Sequence, residues 1–452
     1  MMNEGTKTMR PLVGAGPSER VEKSLDRKLR AIHADPHGCR EFILADAKDA
    51  DMAYGIGAPG RSPEAHASEA RFRTLAEYRD LMRQVTRQGI VDIMLMSVSS
   101  NHLLTIEERL FDDSPVTPAI RANDSTDVHL ARGGRHALTP ALPFRSASLD
   151  HAMCGKLDCQ PHERGLGCDL GLYSVTFTND AARDKETLER FHEFREEAER
   201  KGFRYFLEVF DPNVPGLVEP EQLPFFQNDM IARMLAGVGP AGRPLFLKTV
   251  WHGPRAMEEL VAYDPHLVVG IMGGGAGTTR DAFQLLYDAQ KAGAKAALYG
   301  RKINQAENQL AFIHLLRLIV EGVIGPVEAV RAYHAVLERL GIRPRLSLEE
   351  DLKSTVTATN YAGTTTVAVP SPVEAKTAPA PSPAQPPASS HAGGCRCSHP
   401  TTSQPAASVT IPSPTVCRNS DAFPKLDNGL PNFANMTSSQ RLAYHRRRLG
   451  FG

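Results

Sequence analysis

The chain has 452 residues, more than an average domain, although an α/β barrel of about 250 residues folds as one unit, so length excludes neither one domain nor several. Hydrophobic residues at 41% and charged residues at 23% are ordinary for a soluble globular protein, and 52 basic residues balance 52 acidic ones, which excludes a global field toward nucleic acid or membrane. Seven cysteines, an odd number over a long chain, exclude a disulfide framework, while an N-terminus without an apolar signal core and the lack of any run of about eighteen apolar residues predict a cytoplasmic protein.

Residues 1–40 read as an N-terminal extension. From 41 to 345 short apolar runs alternate with longer amphipathic stretches, the rhythm of parallel strands joined by crossover helices. The runs 42–46, 91–96, 115–121, 170–177, 203–210, 244–250, 267–272 and 294–299 make a set of eight strands. Thr74 and Glu77 form a capping-box pattern ahead of Leu75, Tyr78, Leu81, Met82 and Val85, and Gly89 ends that run. Pro254 and Pro326 stand where a first helical turn tolerates proline. Eight such units favour a closed (β/α)8 barrel, the TIM-barrel fold; a doubly wound open sheet has the same alternation, and periodicity leaves the two open.

Beyond the barrel, residues 346–422 read as a disordered linker, with proline, alanine and serine dominant over 369–392. The final segment, 423–452, reads as a short C-terminal helix. There Thr437 and Gln440 form a second capping-box pattern before a basic run containing Arg441, Arg446, Arg447 and Arg448.

Chemistry concentrates in the sixth run. Lys248 lies inside an otherwise apolar strand, on one face with Phe246 and Val250. Burying an ammonium is costly, and the cost falls if the lysine titrates low; a neutral amine is also the form that attacks a carbonyl to give a carbinolamine and then an imine. The alternative is a barrel lysine paired with an interior carboxylate. The next two strands end in glycine-rich loops, one with Gly273, Gly274, Gly275 and Gly277, the other with Gly300 and Arg301. Glycines let backbone N–H groups approach an anion, the helix after Thr279 offers its positive end, and Arg301 adds a forked donor. Loops after the seventh and eighth strands form the recurrent phosphate site of (β/α)8 barrels, which favours the barrel and a phosphorylated ligand.

The stretch from Phe246 through Lys248 to Gly253, then Gly273-Gly274-Gly275, then Gly293 to Asn304 with Gly300-Arg301, resembles the class I (Schiff-base) aldolase superfamily. The nearest groups are the archaeal-type fructose-bisphosphate aldolases and the deoxyribose-phosphate and tagatose-bisphosphate aldolases. The resemblance covers residues 244–309 most specifically. It implies a lyase that cleaves or forms a carbon–carbon bond in a phosphorylated ketose or aldehyde, with Lys248 as the Schiff-base residue and Gly273, Gly274, Gly275, Gly300 and Arg301 at the phosphate. It implies no cofactor, a small-molecule sugar phosphate as partner and a homo-oligomer; nucleic acid is not expected. An imine-dependent transferase and a non-catalytic sugar-phosphate-binding barrel are the alternatives.

The same resemblance points to an aspartate near the imine on the first strand, where Asp46 is chosen and Asp49 is its rival. It places a tyrosine acid/base on the fourth strand, where Tyr173 comes earlier than the family's pattern. Glu208, between Leu207 and Val209, is either a third acid/base candidate or the ion-pair partner of Lys248.

Two Cys/His groups remain. His151, Cys154, Cys159 and His162 offer four zinc ligands if their loop folds back, but the spacing matches no metal motif and no metal is expected. The loop belongs to an insertion, 123–167, that is placed to cap the substrate, and its Arg132, Arg135 and Arg145 are candidates for a second anion. His391, Cys395, Cys397 and His399 pose the zinc question again among glycines and prolines.

Overall fold

A computed structural model describes residues 21–61, 72–128, 134–275 and 277–355, and, of the later chain, Pro424, Asn432, Asn435, Met436, Thr437 and Gln440. The chain divides into two units, Met1–Val369 and Pro370–Gly452.

Eight parallel strands close into a barrel in the first unit: β1 (Ile43–Lys48), β2 (Ile93–Met96), β3 (Thr117–Arg121), β4 (Leu170–Thr176), β5 (Arg204–Phe210), β6 (Leu247–Thr249), β7 (Val269–Met272) and β8 (Ala296–Tyr299). Each expected run carries one of them, and ring closure by β8 beside β1 decides for the TIM barrel over the open sheet. Register places Ser174, Glu208, Lys248 and Gly270 side by side on four successive strands.

The helices begin and end where the punctuation predicts. Thr74 and Glu77 make a reciprocal capping box on α2 (Leu75–Gln88), and Gly89 ends it in the left-handed region at φ 70°. Pro254 and Pro326 open their helices, Pro254–Tyr263 and Pro326–Arg339.

Apolar burial falls into an outer layer between strands and helices and an inner one along the barrel axis. The inner layer holds Ile43, Ala45, Ala47, Leu172, Phe206 and Phe246, the last two stacked at 4.6 Å. Residues read as an extension contribute to it: α1 (Ser24–Ala34) inserts Leu25, Leu29 and Ile32 where the strands begin. Lys28 of α1 bonds Asp92 at 2.9 Å, and Arg317 reaches the same carboxylate at 2.8 Å. Burial opposes the charge on Asp92, yet these two cations hold its carboxyl below the usual range.

At the other boundary, residues 346–355 are also part of this body. A short helix, Leu348–Asp351, is capped by Ser347, and the chain then packs on the first turn of the helix that follows β7. The composition shift near 346 therefore precedes the end of the folded part. In the second unit Thr437 and Gln440 make the expected reciprocal bonds, 2.9 and 3.3 Å; Arg441, Arg446, Arg447, Arg448, His391, Cys395, Cys397 and His399 lie outside the described residues. Among the described residues no helix is long and apolar enough to cross a membrane.

Candidate functional site

The strands point alternate side chains to the barrel axis, and at their C-terminal ends the inward set becomes polar. From β1, the parity of Ala45 and Ala47 carries Asp49 to the mouth; from β3, Ala119 is followed by Arg121; from β4, Leu172 by Ser174; from β5, Phe206 by Glu208; from β6, Phe246 by Lys248. These polar groups bond to one another. Lys248 Nζ meets Glu208 Oε1 directly, while Glu208 Oε2 accepts from Ser174 Oγ at 2.7 Å. The Arg121 guanidinium binds Asp49 at 2.8 Å, lies 3.3 Å from Asp124 and 3.6 Å from Glu208, and donates to Ser174 Oγ at 3.3 Å. Burial works against the charge of Arg121, but Asp49, Glu208 and Asp124 outweigh it and hold the guanidinium protonated.

Above this network lies a cavity of about 400 Å³, lined by Asp49, Arg121, Glu208 and Lys248 on the strand side and by Gly273, Gly274, Gly275, Gly300 and Arg301 on the loop side. Lys248 is 8% exposed, so its amine meets solvent only through a small window. Val128, Phe210, Val250 and Met272 form an apolar patch on the wall. The loop glycines have physical reasons to be glycine: a Cβ at Gly273 would run into the Tyr299 ring, and Gly274 has φ +61°.

The expectation for the helix after Thr279 needs correcting. Its first amides are already taken: Thr278 N–H by Asp281 at 2.8 Å and Thr279 N–H by Asp351 at 2.7 Å. An anion in the cavity would meet the glycine backbone and Arg301, since the chain's own carboxylates satisfy the helix end.

Two acid/base candidates are also corrected. Asp46 points out of the barrel, fully buried with Lys48 at 2.9 Å, because its parity is that of Leu44 in the outer layer. Burial pushes its carboxyl up, partly offset by Lys48. The rival Asp49 is the first-strand aspartate that lines the cavity. Tyr173 likewise faces outward, stacked on Phe194 at 4.3 Å and near Phe191, because Ser174 takes the inward position. Tyr173→Phe is therefore expected to leave turnover within about twofold of wild type, measured as kcat/KM; a loss of roughly 10²-fold would return the hydroxyl to the site.

Arg121 ends an apolar strand, a weak local signal, and the carboxylates at Asp49 and Glu208 that it gathers are remote in the chain. His151 and His162 are both exposed, and Arg145 binds Glu197 at 2.7 Å on the outer surface of the barrel; Arg135 is exposed and Arg132 lies outside the described residues.

No protein-family model matches the chain, and no curated protein does. Solved structures similar to it include an archaeal fructose 1,6-bisphosphate aldolase, 17% identical, covering 66% of this chain and 99% of that one with a TM-score of 0.46. A fructose-bisphosphate aldolase from Slackia heliotrinireducens is 14% identical over 73% of this chain and 96% of that one, at 0.47. N-acetylneuraminate lyase from Fusobacterium nucleatum is 11% identical over 67% and 82%, at 0.36.

Proposed function

We propose that this protein is a class I aldolase-like lyase that forms a Schiff base between Lys248 and the carbonyl carbon of a phosphorylated ketose or aldehyde. The observation that carries the reading is one cavity lined by both the Lys248 amine and the glycine-rich loops with Arg301. An amine there adds to the substrate carbonyl. Glu208, in direct contact with Nζ, is placed to take the proton that must leave nitrogen and to return one to the carbinolamine hydroxyl as water departs. The iminium then draws the electrons of the adjacent carbon–carbon bond. Removal of the hydroxyl proton from the cleaved carbon falls to Asp49 or Glu208, both of which face the cavity. Arg121 holds these two carboxylates apart from each other's charge and in place.

The phosphate would lie against Gly273, Gly274, Gly275, Gly300 and Arg301, which anchors the substrate at one end and presents its carbonyl to the amine. The test is borohydride reduction in the presence of a panel of phosphorylated ketoses and aldehydes, followed by peptide mass mapping. The expected result is reduced substrate attached to Lys248. A carbonyl substrate that turns over while Lys248 stays unmodified would overturn the imine; saturable phosphate-ester binding with no turnover across the panel would mark a binding protein instead.

A further inference from the structure

Within the insertion that follows β3, the chain makes a tight excursion after the helix Leu149–Cys154. Its neck is closed by backbone bonds from Gly167 N–H to Met153 O, 2.7 Å, and from Cys168 N–H to Ala152 O, 3.1 Å. Between residues 155 and 167 the only buried residue is Cys159; Leu157 and Leu166 are exposed. The loop has no apolar core of its own. Gly155 at φ 80° and Asp158 at φ 55° turn it back on itself, and this brings Cys159 to Cys154. A ligand atom from each of Cys154, Cys159 and Glu163 lies within 4.8 Å of the other two.

We propose that Cys154, Cys159 and Glu163 bind one zinc ion that staples this loop. Tetrahedral zinc takes sulfur at about 2.3 Å and carboxylate oxygen at about 2.0–2.2 Å, so a small contraction of the loop brings all three to bonding distance. The fourth position is left to water, since His151 and His162 are exposed and outside the group. Binding displaces the two thiol protons to solvent. The resulting two thiolates and one carboxylate are then balanced by the divalent ion together with Lys156, whose Nζ is 2.6 Å from Glu163. Glu163 is held beside the two sulfurs by Lys156 and by the Gln160 N–H, which donates to its other oxygen at 3.0 Å. None of the three residues lines the cavity that holds Lys248, so the ion stands or falls apart from the imine.

The experiment is metal analysis of full-length protein, purified under reductant, incubated with zinc chloride and desalted. About one zinc per chain is expected to remain, to be lost in Cys154→Ser and Cys159→Ser, and to persist in the Cys395→Ser/Cys397→Ser variant. Glu163→Gln should release the ion faster to a chelator. Trypsin cleavage after Lys156 and Arg164 should rise on chelation. Should a serine variant fail to fold, cobalt loading of the wild-type protein reports independently: an intense thiolate-to-cobalt charge-transfer band of two-sulfur strength is expected. No retained zinc and no such band would overturn the proposal, as would zinc that survives in the Cys154→Ser/Cys159→Ser variant, or a Cys154–Cys159 disulfide in protein kept under reductant.

Discussion

Lys248→Met is expected to lower turnover roughly 10⁴-fold or more, the scale on which an enzyme loses activity when its nucleophile is removed. Methionine keeps an unbranched side chain of similar length on β6, so the inner packing around Phe246 and Val250 need not move. What disappears is the amine, and with it any means of forming the proposed imine. Glu208 loses one partner in the exchange but keeps Ser174 Oγ at 2.7 Å and Arg121 at 3.6 Å. The stability cost should therefore be limited, about 1–3 kcal/mol by denaturant unfolding. The combination is diagnostic. Near-wild-type turnover in a folded Lys248→Met protein would remove the imine mechanism, whereas loss of activity through unfolding would show as a much larger stability change.

Arg121→Met should have the opposite profile, with stability falling first. The guanidinium is buried among Asp49, Asp124 and Glu208, and without it Lys248 is the remaining cation in contact with Glu208. Removing one partner from a buried ionic network while leaving the others charged typically costs about 3–5 kcal/mol, a large share of a total stability of about 5–15 kcal/mol. The measurement is the urea midpoint at unchanged slope, compared between Arg121→Met and Arg121→Lys. Lysine restores a charge but has no planar fork to serve Asp49 and Ser174 together, so it should recover part of the loss. A midpoint unchanged in Arg121→Met would mean that the network contributes nothing to holding the strand ends together. Activity, if the variant folds, should fall as well, because Asp49 and Glu208 would no longer be held in position.

The barrel was legible in the chain because its signals are local. Thr74 with Glu77, Gly89, Pro254 and Pro326 each mark a helix boundary through bonds within a few residues. The strand runs are short and apolar. Lys248 stood out for the same reason, as a charge in an apolar strand, and so did the glycines of the two loops that share its cavity. The ends of the folded part were less legible. Residues 21–40 and 346–355 owe their order to contacts with distant elements, α1 through Asp92 and the last segment through Asp281 and Thr279. Composition does not report such contacts.

Which way each strand faces was decided only by the tertiary structure. In β1 and β4 every residue is buried, inward and outward alike, because a barrel strand has the lumen on one side and helices on the other. The polar alternation that betrays a face in a half-exposed sheet is then absent, so Asp46 and Asp49, or Tyr173 and Ser174, look equivalent until the ring closes. Closure sends Asp46 and Tyr173 to the helices and gathers Asp49, Arg121, Ser174, Glu208 and Lys248 around one axis. The sequence by itself determined the element order, the lysine and the glycine loops, since each rests on near neighbours. The polar cluster at the strand ends and its arginine come from strands that meet only in three dimensions, Arg121 and Asp49 lying 72 residues apart in the chain and 2.8 Å apart in the fold.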